Sequence, residues 1–426
     1  MKNSIAKAVP ILWLPAFFLL AFRPGGAEAK LTISGSAMVS AQDVDFDTTA
    51  GALDEDFNFN DPRVNLYLKS EISENIAFQM TIWAANDWSH EIIRGNGGTI
   101  ALNDAAELRA TFVQIKNVFG SGMTAKLGKI AVPFGHESPN RTGNGDSSKN
   151  DFLRNSLLDV TNALDDGVHL SGSFENAGLT TPLSWELAVV NGGAVTDGSP
   201  SGGGGQNRSN DDLAFGCRLV AALADNLTAE ASYYTNDQRT DGDNDPLHIG
   251  SSLFVQAVES GDHTAAGTAG TNKNLSGLVY NDDGQGGGYD RDLWEVAAKY
   301  QFEGGYLMGF WGNIDADTVS AGNSREWSYW GVQGRYNLSE DAYVAARWNV
   351  LDPDYAGSAA IGEPTLWAVA GGYKVADNTM VKAEWTSFDE DGDGLSNQGT
   401  AIGAASAPDG QRADAQAITI ALGVKF

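Results

Sequence analysis

ITIALGVKF, residues 418–426, places an apolar residue at every second position: Ile418, Ile420, Leu422, Val424 and Phe426. Thr419, Ala421, Gly423 and Lys425 fall between them. A period of two is the spacing of a strand with one apolar and one polar face. Two settings fit such a strand. It could be the last strand of a soluble sandwich, or a wall strand of a membrane barrel whose apolar face meets lipid.

The pattern recurs along the chain. It predicts strands at 30–44, 61–73, 75–84, 104–117, 122–130, 165–175, 181–192, 210–223, 226–237, 289–303, 306–317, 325–338, 341–352, 364–375, 378–388 and 413–426. Each runs about 10–15 residues, the length a tilted strand needs to cross a bilayer. Strands of soluble sandwiches are nearer five or six residues. The connections alternate as well. Short links at 74, 118–121, 176–180, 224–225, 304–305, 339–340 and 376–377 lie between long ones. The long series is 45–60, 85–103, 131–164, 193–209, 238–288, 353–363 and 389–412, with the shorter 318–324 in the same place. Short turns on one side and long loops on the other mark an outer-membrane barrel. The expected fold is therefore an all-β transmembrane antiparallel barrel of 16 strands, with counts of 14 or 18 left open by uncertain boundaries.

The faces agree. In DAYVAARWNV, 341–350, Val344, Ala346, Trp348 and Val350 oppose Tyr343, Arg347 and Asn349. In MVKAEWTSF, 380–388, Val381, Ala383 and Trp385 oppose Lys382, Glu384 and Thr386. A charge facing lipid at mid-depth costs about 2–4 kcal/mol, whereas a lumen charge faces water. Tyr300, Phe302, Tyr336, Tyr373 and Phe426 near strand ends fit an aromatic girdle.

The first residues read as an export signal. Lys2 and Lys7 precede an apolar run at 9–22, and Ala27-Glu28-Ala29 gives a small-residue cleavage pattern. The expected division is a signal peptide over 1–29 and a barrel domain over 30–426. No other segment is long and apolar enough for a helical span. The single cysteine, Cys217, allows no internal disulfide. A net charge of −28 argues against nucleic acid as a partner. Glycine is abundant at 51 residues, yet 42% hydrophobic content and 11 tryptophans argue against disorder.

LGKIAVPFGHESPNRTG, 127–143, ends the fifth strand and opens the long connection 131–164. Its LGK-x3-PFG-x-E form, built on Leu127, Gly128, Lys129, Pro133, Phe134, Gly135 and Glu137, resembles the porin family that includes the phosphate-selective porins O and P. The broader resemblance to sixteen-stranded bacterial porins spans residues 30–426 as pattern rather than identity. It implies a homotrimer in the bacterial outer membrane and a third loop that folds into the barrel and narrows it. It also implies that a terminal aromatic such as Phe426 serves as the membrane-insertion signal. An external flap is the alternative reading of that loop. NDFLRNSLLDVTNALDD, 150–166, is expected to form a short helix or ordered turn on the inner wall. The loop departs from a phosphate selector. Arg141, Lys149 and Arg154 are outnumbered by Glu137, Asp146, Asp151, Asp159, Asp165 and Asp166.

By parity the wall offers inward bases at Arg63, Lys69, Arg109, Lys126, Arg218, Lys299, Arg335, Arg347, Lys374 and Lys382. The inward acids are Glu71, Glu107, Glu186, Glu230, Glu295 and Glu384. The candidate pore-lining and constriction set is Arg63, Lys69, Arg109, Lys126, Glu137, Arg141, Asp146, Arg154, Arg335, Arg347 and Lys382. A basic wall facing loop acids would set a transverse field across the constriction. The alternative is that these charges simply keep the lumen wet.

DEDGDG, 389–394, matches the first half of a calcium loop through Asp389, Asp391 and Asp393. Its twelfth position is Thr400 rather than Glu, so the full motif fails. Calcium at the acidic loops is the one cofactor considered, alone or bridging to lipopolysaccharide. Enzyme signatures are absent: there is no H-E-x-x-H, no G-x-S-x-G, and Gly202–Gly205 lacks a following Lys-Ser/Thr. The expected function is a water-filled channel for passive diffusion of small hydrophilic solutes and ions. A channel specific for an anion or an oligosaccharide is the first rival. A barrel whose loops serve adhesion, above all 238–288, is the second, and a barrel-embedded hydrolase the third.

Overall fold

Strand pairing runs in chain order and closes on itself in a computed structural model of the chain. The structure describes residues 30–48, 51–85, 106–136, 151–153, 164–174, 183–191, 213–238, 289–318, 324–355, 363–391 and 413–426. Sixteen antiparallel strands form one closed barrel. They are β1 (Lys30–Thr48), β2 (Gly51–Glu71), β3 (Ile76–Ala85), β4 (Ala106–Val118), β5 (Met123–Ala131), β6 (Leu164–Phe174), β7 (Leu183–Val190) and β8 (Ala214–Ala224). The second half is β9 (Leu227–Gln238), β10 (Tyr289–Phe302), β11 (Gly305–Thr318), β12 (Ser324–Asn337), β13 (Ala342–Tyr355), β14 (Glu363–Ala376), β15 (Thr379–Asp391) and β16 (Ala413–Lys425).

The stretch 418–426 makes the seam. β16 pairs with β15 on one side and with β1 on the other, from Ser36↔Lys425 to Thr48↔Ala413. Phe426 completes it: Gly35 N donates to Phe426 O at 2.8 Å and Phe426 N donates to Gly35 O at 3.0 Å. The Phe426 ring lies where a Cβ on residue 35 would be, so glycine there is what seats it. Ile418, Ile420, Leu422 and Phe426 are exposed, while Thr419 and Ala421 are buried. Closure leaves no unpaired edge strand.

One long connection is shorter than its sequence suggests. Residues 45–48 and 51–60 do not form a loop: β1 and β2 stay paired through Val44↔Glu55, Phe46↔Leu53 and Thr48↔Gly51. The aspartates at 43, 45, 47, 54 and 56 disfavour strand by propensity and read as loop. Backbone pairing continued from the wall below overrides that preference. Asp389 and Asp391 are likewise strand rather than loop, since β15 runs on to Asp391.

On the outer wall of β10–β15, every strand carries one tryptophan: Trp294, Trp311, Trp330, Trp348, Trp367 and Trp385. Three neighbouring pairs of rings meet. Trp294–Trp311 and Trp330–Trp348 meet edge-on at 4.6 and 4.7 Å, and Trp348–Trp367 stack at 5.3 Å. A second outward band, with Tyr300, Phe302, Tyr336, Tyr373 and Phe426, lies near the short turns. Two aromatic bands flanking Leu, Ile, Val and Ala are the outer surface of a membrane barrel. Cys217 pairs in register with outward Tyr233 and Leu187, so it shares the outer face.

Candidate functional site

The inner wall of β8–β15 is not bare. Two segments from the connection between β5 and β6 lie against it. Residues 132–136 leave β5 and turn inward. Gly135 supports the turn with φ of 77°, a left-handed conformation that favours glycine. Phe134 behind it is buried. Gly135 N then donates to Ser232 Oγ of β9 at 2.9 Å. His136 N donates to Glu295 Oε1 of β10 at 2.5 Å, and His136 Nδ1 lies 2.9 Å from the same oxygen. The imidazole stacks on Phe310 of β11 at 4.1 Å. Tyr329 of β12 donates its hydroxyl to Glu295 Oε2 at 3.0 Å. One buried carboxylate thus takes three donors, which is how a charge survives away from bulk water.

The second segment, Asp151–Leu153, is tied further round. Asp151 accepts from Arg335 Nη1 at 2.7 Å and from the Tyr306 hydroxyl. Its backbone carbonyl accepts from the Tyr343 hydroxyl at 2.9 Å. Phe152 is buried against Tyr343, Ala345, Ala368 and Ala370, with Met380 at the edge. The Arg347 guanidinium covers the Phe152 ring at 3.9 Å. Leu153 N donates to Glu384 of β15. Of the short helix or ordered turn expected over 150–166, residues 151–153 form bends rather than helix, 150 and 154–163 lie outside the described residues, and 164–166 belong to β6.

A third group lies on the inner wall of β5–β9. Lys126 and His169 face each other across β5 and β6. His169 Nε2 is 3.0 Å from Glu186, and Arg218 forks between Glu186 at 2.9 Å and Glu230 at 2.5 Å. Lys126 lies over the Phe112 ring at 5.4 Å. Charges of both signs are held here by neighbouring strands.

The sequence candidates fall as follows. Lys69 is on the inner face near a short turn, paired with Glu71 at 2.9 Å. Lys126, Arg335, Arg347 and Lys382 are on the inner face too, and Arg335 and Arg347 touch the inserted segments. Arg63 and Arg109 lie in β2 and β4, but their side chains are outside the described ones. Glu137, Arg141, Asp146 and Arg154 lie outside the described residues, as does Asp393. Asp389 is paired with Thr365 and Asp414, and Asp391 with Glu363, in extended strand. Among the described residues no group of three or more His, Cys, Asp or Glu side chains is arranged to hold a metal ion.

The sequence reading did not single out His136, Ser232, Tyr306 or Tyr329, and it named Asp151 only as a loop acid and Tyr343 only as an inward residue. Each partner pair is 97 or more residues apart, save Tyr329 with Glu295. The one local signal was the PFG-H run, where Pro133 and Gly135 break the strand and Phe134 supplies a buried anchor.

Comparison with known proteins agrees with this architecture. Vibrio cholerae OmpT, an outer membrane protein, superposes with a TM-score of 0.54 at 13% identity, covering 94% of this chain and 99% of that one. An anion-selective porin from Comamonas acidovorans gives 0.54 at 12% identity, with 94% and 100% covered. The outer membrane channel DcaP of Acinetobacter baumannii gives 0.54 at 9% identity, with 94% and 98% covered. At these identities the likeness establishes the fold. A search of curated proteins finds no sequence match. A family model described as Gram-negative porin matches residues 16–352 and, in a second alignment, 224–393. The chain therefore belongs to the Gram-negative porins, and forms an outer-membrane channel for passive diffusion.

Proposed function

We propose that the aperture of this channel lies where residues 132–136 and 151–153 rest on the inner wall. Solutes pass through water between these segments and the wall of β1–β7 and β16. The carrying observation is the double tie of the connection, to Glu295 at one end and to Arg335, Tyr306 and Tyr343 at the other. Replacing residues 137–150 by a short glycine linker tests this in planar bilayers. A larger single-channel step is expected; an unchanged step moves the aperture elsewhere.

Passive diffusion of small hydrophilic solutes and ions, sieved by size, is the reading we adopt. A channel specific for an anion is the second reading. The inward side chains of Lys299, Arg335, Lys374 and Lys382 favour it. Reversal potentials across a salt gradient separate the two: a strong anion preference with block by one solute would establish the specific channel.

Three further features belong to the proposal. The chain acts as a homotrimer, a state named for one form of Vibrio cholerae OmpT. Cross-linking in detergent tests it. Lipopolysaccharide packs around the outer tryptophans. Calcium at Asp389, Asp391 and Asp393 offsets like charges placed opposite one another, Asp389 with Asp414 and Asp391 with Glu363. Titration calorimetry with millimolar calcium would register heat; silence would end that idea.

A further inference from the structure

Much of the inner wall is already engaged. On β9–β15, Glu295, Tyr329, Arg335 and Glu384 hold the inserted segments or one another. On β7–β9, Glu186, Arg218 and Glu230 are matched among themselves. The wall of β2–β4 differs. In a closed ring of sixteen strands, β3 and β4 lie eight strands from β11 and β12, across the lumen from the inserted segments. Tyr67, Gln79, Phe112 and Gln114 are half-buried there. The pairs Tyr67↔Thr81, Gln79↔Phe112 and Gln114↔Lys126 place them on the inner face. Phe112 is six residues above the end of β4 at Val118. Its height falls between that of Arg335, two residues above the end of β12, and that of Tyr329, eight above it. All four side chains are uncharged. Charge is set below them, at Lys69, Glu71 and Lys116, and to one side, at Lys126.

The four side chains combine two chemistries. Gln79 Nε2 donates to Gln114 Oε1 at 2.9 Å. That leaves the Gln79 carbonyl to accept and the Gln114 amide nitrogen to donate, side by side. In register with Gln79 is the Phe112 ring, with the Lys126 ammonium over it at 5.4 Å. Gly128, opposite Phe112 on β5, puts no side chain beside the ring, and none fits: a Cβ would lie 2.4 Å from Thr111 O. Tyr67 stands two strands from Phe112, about 10 Å in the hydrogen-bonding direction. An apolar ring beside a donor–acceptor pair matches a solute that is itself two-faced. A pyranose has C–H groups on its faces and hydroxyls, each donor and acceptor, around its rim. A linear polyether has no donor, and a bare ion has no apolar face.

We infer that β2–β4 form a weak binding patch for sugars of one or two rings, which retains them in addition to sieving by size. This rests on the reading of the aperture given above. Phe112 takes the C–H face, Gln79 and Gln114 take hydroxyls, and Lys126 donates to a hydroxyl oxygen at the edge. Tyr67 meets the second ring of a disaccharide.

Single-channel recordings in planar bilayers test it, with maltose compared against a poly(ethylene glycol) of equal hydrodynamic size. Maltose should add concentration-dependent interruptions of the current, whereas the polymer should lower the step without them. Phe112→Ala should weaken the apparent affinity for maltose about fivefold, and Phe112→Trp should keep it. Gln79→Ala combined with Gln114→Ala should weaken it as well, each variant being measured against its own step in potassium chloride. Equal effects of maltose and polymer would overturn the inference while leaving the channel intact. So would maltose interruptions that persist in both Phe112→Ala and the double glutamine variant. The aperture reading fails separately, through an unchanged step when residues 137–150 are replaced.

Discussion

The outer and inner walls of β10–β15 are made by alternate residues of the same strands, yet they are built on different rules. Outside, Trp294, Trp311, Trp330, Trp348, Trp367 and Trp385 form a row whose ring contacts are between adjacent strands. Inside, one residue away on each strand, Glu295, Phe310, Tyr329, Arg347, Ala368 and Glu384 meet partners from the connection between β5 and β6 or one another. The outer wall answers to lipid, a solvent that is the same everywhere. The inner wall answers to specific groups that chain topology brings in from far away. Tolerance should differ accordingly: outside, hydrophobicity decides; inside, geometry decides.

A charge on the outer wall is the harshest break. Val369→Arg places a guanidinium among lipid-facing residues, and should cost about 2–4 kcal/mol in a urea titration of the barrel folded into vesicles. A cost below half a kilocalorie per mole would mean that Val369 does not face lipid. The inner-wall counterpart is Glu295→Ala. It leaves His136 N, His136 Nδ1 and the Tyr329 hydroxyl without their acceptor, at about 1–3 kcal/mol. Its distinguishing readout is electrical: noisier single-channel current, which an outer-wall substitution of equal cost should not produce.

Gly372→Ala probes geometry alone. The Tyr343 ring occupies the space a Cβ would need, so about 1–3 kcal/mol of overpacking is expected from one methyl group. At the neighbouring outer residue Gly371 a Cβ would meet only Tyr343 O at 3.6 Å, an ordinary contact, and Gly371→Ala should be within about 0.5 kcal/mol of wild type. Equal costs would erase the contrast between the walls. Smallest of all is Lys69→Gln, which removes an exposed pair with Glu71. A stability change of about 0–1 kcal/mol is expected, with a shift in reversal potential towards cations as the informative measurement.

Much of the barrel was legible before any coordinates. Each of the sixteen expected strands coincides with one of β1–β16, because lipid on one side imposes a period of two that turns interrupt sharply. The exception teaches the limit. In residues 45–48 and 51–60 the run of acids reads as loop, although the backbone stays paired. The candidate site was legible only in part. Parity put Lys126, Arg335, Arg347 and Lys382 on the inner face. It could not join Asp151 to Arg335, 184 residues on, or His136 to Glu295, 159 residues on. His136 is one of five histidines, and no local pattern marks it. Its role depends on Gly135 turning the chain inward and on Phe310 lying across the lumen.

The sequence by itself determined which residues form strands, which face of each meets lipid, and that the chain builds an even-numbered membrane barrel. Those features follow from a uniform solvent acting on neighbouring residues. Only the tertiary structure decided that Phe426 is seated on Gly35, that Glu295 and Glu384 receive loop backbone, and that Arg335 holds Asp151. These contacts arise from closure of the barrel, which brings together segments no local pattern connects.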